Sequence, residues 1–275
     1  MKWIVKSIPF ASIGVACFMA IGYCVAYAAL HGTPTFQPVE AADWPPFAAI
    51  GGMIVGLVAS VVAVRREVSL IARLLLSILG VYLFFRLIPA ETRPSVWVRI
   101  ATGAIVWLFW IDLDRLAESV RPAVFWPSIA AASAGLSITL ALSGSLVLGV
   151  LTAIITCLSV IVMLVSFFKA NLADASASVP TFIAATVLLA LSGMYFADLL
   201  VGCVALLAIS AQTSWITRVP GIRRFSTWKQ VLITCAIAIG FAAGSAYVAY
   251  RAYPIEADSA TDEVDRRAIA ADRFV

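Results

Sequence analysis

The chain has 275 residues, 63% of them hydrophobic and only 12% charged, with a net charge of +4. Soluble domains carry about 25% charged residues, so this composition, with a mean hydropathy of +1.02, excludes an ordinary water-soluble fold. In such a chain the positive balance points to membrane topology rather than to nucleic-acid binding.

Apolar runs of about 20 residues recur along most of the sequence and read as transmembrane helices. They do not alternate as barrel strands would; "LVLGVLTAIITCLSVIVMLVSFF" is apolar throughout. The expected fold class is all-α, a polytopic transmembrane helical bundle of about nine spans. They are 8–30, 46–64, 68–88, 95–112, 124–142, 146–168, 180–196, 199–214 and 228–250. Together they form one domain, 1–253, followed by a polar acidic tail, 254–275.

The first 28 residues have some marks of a signal peptide: Lys2, Lys6, an apolar stretch and Ala26-Tyr27-Ala28. The apolar stretch exceeds a usual signal core, which favours an uncleaved first helix. His31 follows, the only histidine. A lone His excludes multi-His metal sites and leaves Ser-His hydrolysis without its partners. In the second span Gly52 and Gly56 form a G-x-x-x-G, extended by Ser60, and Gly240 and Gly244 repeat the pattern in the last span after Ala236. Small residues let helices approach closely in lipid. They serve packing within the chain, the favoured use, or association with a second copy or another protein.

The third and fourth spans are antiparallel neighbours holding Arg73, Arg86 and Arg99. Arg73 lies near the inner end and Asp112 at the inner end of the next helix. An ion pair between them would offset the cost of intramembrane charge, with snorkelling of Arg73 as the alternative. Arg86, Arg93 and Arg99 gather at the outer end, where Glu91 is the only acid among them. These arginines are expected to face anions: the acidic tail, lipid headgroups or an anionic ligand. The stretch "DLDRLAESVRP", 112–122, is expected to form a solvated interfacial turn with opposite charges at helical spacing.

Residues 127–168 and 180–214 echo one another at a shift of 53, with Pro127 over Pro180 and Ser145 over Asp198. Each copy reads as a hairpin whose first helix is begun by proline and whose second is opened by a capping residue, Ser145 in the first copy. The 35 residues of 180–214 would reach roughly 52 Å as one helix, against about 30 Å of hydrocarbon. Two short helices fit better and keep the basic "TRVPGIRRFSTWK" inside. Asp198 is then expected to cap the second of them, with a buried functional acid as the alternative.

The Lys/Arg bias of the loops places the N-terminus inside and the C-terminus outside, in a multi-pass protein of a bacterial cytoplasmic membrane. All eight tryptophans fall near expected span ends, as headgroup-zone residues do. The five cysteines lie in apolar runs without a Cys-x-x-Cys, and no phosphate-binding glycine loop occurs. No cofactor, metal or catalytic group is expected. The expected role is a non-catalytic membrane subunit or scaffold, with a small-solute or lipid transporter as the alternative and an intramembrane enzyme last. The expected partners are the lipid bilayer and, through the glycine faces, a second copy or another protein.

Overall fold

The structure, a computed structural model, describes residues 10–32, 43–61, 66–88, 93–169 and 175–252. The described residues form ten α-helices and no strand. They are α1 Phe10–His31, α2 Trp44–Val61, α3 Arg66–Leu87, α4 Val96–Ser119, α5 Pro122–Leu142, α6 Leu146–Phe168, α7 Val179–Phe196, α8 Val201–Gln212, α9 Pro220–Arg223 and α10 Thr227–Ala252, with a 3-10 segment Thr213–Arg218 after α8. Six of them (α1, α4, α5, α6, α7 and α10) are long and apolar enough to cross a membrane. α2 is a shorter apolar helix, α3 carries four charged residues, and α8 has only 12 residues.

Local chemistry sets most boundaries. α5 begins at Pro122, five residues before the expected Pro127, which lies inside the helix. Pro122 suits the first turn, while Pro127 forfeits one bond to the carbonyl four residues back. α5 ends in a Schellman turn. Gly144 has φ 96, Ser145 N–H donates to Leu140 O at 3.1 Å, and Gly144 N–H to Ala141 O at 3.3 Å. Ser145 Oγ then accepts from Leu148 N–H at 3.4 Å and caps α6. At its C-terminal end α4 overruns its expected limit: 112–119 is helix, not an interfacial turn, because Leu113, Leu116 and Ala117 are buried.

The centre of the bundle is α5, 78% buried over its apolar stretch, against 22% for α4. α5 packs on α6, α10 and α8. At Gly135 a Cβ would come within 2.6 Å of Leu207 and 2.8 Å of the Ala242 Cβ. Buried hydroxyls cross-link this core: Ser128 with Ser214 at 2.8 Å, Thr139 with Ser245 at 3.1 Å, and Ser210 donating to Ala238 O at 2.9 Å. Such bonds hold membrane helices together at about 0.6–2 kcal/mol each. α2 packs on α7 through the first G-x-x-x-G. A Cβ on Gly52 would meet Pro180 O at 2.6 Å, and one on Gly56 would overlap Ala177 O. In the second motif Gly240 has nothing within 4 Å of its would-be Cβ, and Gly244 only Leu206 at 4.0 Å.

The sequence echo is not matched in packing. α5 and α6 form a close hairpin, whereas α7 turns to α2 and α8 to α10. α3 and α4 form a peripheral hairpin. Phe84 and Phe85 join it to α7, with Phe85 edge-on to Tyr195 at 5.2 Å. Trp107 Nε1–H donates to Leu70 O at 3.0 Å and ties the two helices. Trp44, Trp97, Trp126 and Trp228 lie in the first two turns of their helices, whereas the overrun of α4 leaves Trp107 and Trp110 in its middle. Residues 1–9, 33–42, Glu91 and 253–275 lie outside the described residues.

Candidate functional site: an intramembrane groove with a charged end

α4 packs chiefly on α3 and only lightly on α5, α7 and α8. The gap is a groove of about 1030 Å³, at the upper end of the range for ligand pockets. Its floor is α5 and α7, with Leu136, Phe182 and Leu191; its walls are α4 and α8. Ile105, Leu108 and Val201, each more than half exposed, stand on its rim. The α4 lining runs from Val98 to Arg115, about 26 Å at 1.5 Å per residue. That is most of the roughly 30 Å hydrocarbon thickness. The lining is overwhelmingly apolar. Thr102, Ser133 and Thr186 interrupt it, and Asp112, Arg115 and Gln212 gather at one end.

That end is fixed by contacts spanning about a hundred residues of sequence. Asp112 accepts from Trp215 Nε1–H at 2.9 Å. Arg218 lies 3.5 Å from the Trp215 ring centroid, and its guanidinium donates to Arg115 O at 2.9 Å and to Ser119 Oγ. The stack is a cation–π contact at close range. Asp112 therefore holds the N–H edge of the indole and Arg218 covers one of its faces, and both tie it to α4. Arg115 is exposed, with its side chain at the groove mouth.

The expected Arg73–Asp112 pair is replaced by Arg73–Asp114. Two residues turn a helix by about 200°, so only one of these aspartates can face α3. Asp114 does, and is buried with 6% exposure; Asp112 faces the 3-10 segment. Trp110 lies 5.9 Å from the Arg73 guanidinium.

Arg86, Arg93 and Arg99 do come together at one end of the α3–α4 hairpin. Arg86 and Arg99 each lie 5.9 Å from the Tyr82 ring. Arg93 is turned inward: it donates to Ile88 O at 2.9 and 3.2 Å and to Arg86 O at 3.3 Å. These are the orphan carbonyls of the α3 terminus, so Arg93 is a helix cap. The acids expected to meet this cluster, Glu91 and the tail, lie outside the described residues.

Asp198 does not occupy the position expected for it. It is exposed with φ 50, just past α7, and the residue flanking α8 is Leu200, without a side-chain cap. Asp tolerates the left-handed region better than most residues, so Asp198 matches Gly144 in role rather than Ser145. The cysteines are free thiols, and the described residues contain no cluster of three or more metal-ligating side chains. His31 ends α1 with its ring 5.2 Å from Tyr27. The chain matches no protein-family model, and neither a curated protein nor a solved structure was found to be similar to it.

Proposed function

We propose that this chain is a non-catalytic, multi-pass membrane protein that holds a lipid-like amphiphile in the groove between α4 and α8. The carrying observation is the shape and chemistry of that groove: about 1030 Å³, lined by aliphatic and aromatic side chains, with Asp112, Arg115 and Gln212 at one end. A hydrocarbon chain fits the lining, and a polar headgroup fits that end. A polar solute would lose its hydration against this lining without replacement, which disfavours a small-solute permease.

The topology belongs to the same proposal: nine crossings by α1 to α8 and α10, N-terminus inside and C-terminus outside, in a bacterial cytoplasmic membrane. The contacts between helix ends support alternation. The end of α6 meets the start of α10 through Phe167 stacked on Trp228, and the ends of α3 and α7 meet through Phe85 and Tyr195. A second reading, association through α10, is favoured by the open face at Gly240.

Ala190 and Ala208 line the groove and are half-buried. Replacing both with Phe should partly fill it. A photoactivatable fatty-acyl phospholipid should label peptides of α4 and α8 in the wild type, and labelling should fall severalfold in the filled variant. Equal labelling of a filled, folded variant would refute the proposal.

A further inference from the structure

A second cavity lies just beyond the charged end of the groove. α4 ends at Ser119, α5 starts at Pro122, and the chain from the 3-10 segment to the start of α10 folds across both. Between them is a polar cavity of about 790 Å³. Its lining includes Arg121, Arg218 and Arg223 with Ser119, Thr217 and Thr227. Among the described residues no carboxylate lines it. Glu118, the nearest acid along α4, is outside the lining.

Two of the three arginines are already held in place. Arg121 donates to Thr227 Oγ1, and Arg218 to Ser119 Oγ and Arg115 O. Each guanidinium carries five N–H donors, so most remain available to a ligand. Thr227 accepts from Arg121 and keeps its own O–H to donate. Pre-organised donors lower the cost of binding, and the guanidinium fork matches phosphate geometry. The 21-residue α5 and the 26-residue α10 also begin at this cavity, and their dipoles add to its positive potential.

Topology alone requires only that basic residues be plentiful at the inner ends. Arg224 and Lys229 meet that requirement outside the lining, whereas Arg121 and Arg223, equally exposed, line the cavity with the half-buried Arg218. It does not require three guanidinium groups to converge on one cavity, where their mutual repulsion opposes folding. We propose that this cavity binds a phosphate-bearing anion, either a soluble phosphorylated compound or the headgroup of an anionic phospholipid. The inference does not rest on an amphiphile occupying the groove.

The test uses the full chain purified in a non-ionic detergent, with Arg223→Ala as the cavity variant and Arg224→Ala as the charge-matched control. Arg223→Gln serves if the alanine variant does not fold. In one arm, thermal unfolding is followed against inorganic pyrophosphate. In the other, nanodiscs with mixed phosphatidylglycerol and phosphatidylcholine are analysed for retained lipid by native mass spectrometry. Saturable stabilisation by pyrophosphate, weakened about tenfold in Arg223→Ala and unchanged in Arg224→Ala, supports a soluble ligand. Preferential retention of phosphatidylglycerol, lost in Arg223→Ala only, supports a headgroup. No effect in either arm, or equal effects of the two substitutions, overturns the proposal.

Discussion

Replacing Arg73 with Met strips the buried Asp114 of its cation and should cost about 3–5 kcal/mol, the usual consequence of leaving one charge of a buried pair. Arg73 is 22% exposed at its side chain and Asp114 9%, so solvent relieves the loss in part, and about 3 kcal/mol is expected. Asp114→Leu should cost a similar amount. The double variant, with no charge left to bury, should lie within about 1–2 kcal/mol of the wild type, because apolar replacement of a whole buried pair is often near neutral. The two single effects thus sum to about 6 kcal/mol while the double costs far less, a coupling of several kcal/mol. The assay is unfolding by sodium dodecyl sulfate in mixed micelles, followed by tryptophan fluorescence. Asp112→Asn is the internal control. It weakens the bond from Trp215 and should cost about 1–2 kcal/mol, with no coupling to Arg73 beyond about 0.5 kcal/mol. Strong coupling of Arg73 to Asp112, or simple additivity with Asp114, would refute the reasoning.

Gly56→Ala should destabilise by about 1–3 kcal/mol or more, because its methyl would overlap the Ala177 backbone. Gly240→Ala should stay within about 0.5 kcal/mol, and Gly240→Leu would break any dimer seen by light scattering if α10 is the interface. Arg93→Met should cost about 1–2 kcal/mol by baring the carbonyls of Arg86 and Ile88; a neutral result in the same unfolding assay would reject the cap. Asp198→Val should lose about 1–3 kcal/mol at a left-handed position. Reporter fusions after Lys229 and Val275 should lie on opposite sides, and finding both on one side would remove the last crossing.

The helices were legible because length and hydropathy are local properties, and a run such as 146–168 has one stable form in lipid. The Ser145 cap was legible for the same reason: a hydroxyl at a helix start acts on the next few residues. Which aspartate meets Arg73 was not, because Asp112 and Asp114 differ only in the direction each faces, and that depends on how α4 is rotated against α3. The overrun of α4 was hidden by its charges, since the burial of Leu113 and Leu116 depends on neighbours distant in sequence. Asp198 misled because the same residue type suits both a helix start and a left-handed turn. The groove itself left no mark in the sequence. It is the space where α4 fails to close on α8, and no single segment encodes a gap. Its charged end joins Asp112 to Trp215 across 103 positions, a pairing without local signal.

Single-particle cryo-electron microscopy of the full chain in lipid nanodiscs examines the groove most directly. An occupied groove predicts elongated density running beside Ile105 and Leu136 toward Arg115, with α4 held away from α5 and α8. A map in which α4 closes against α8, leaving no space for a chain, would contradict it.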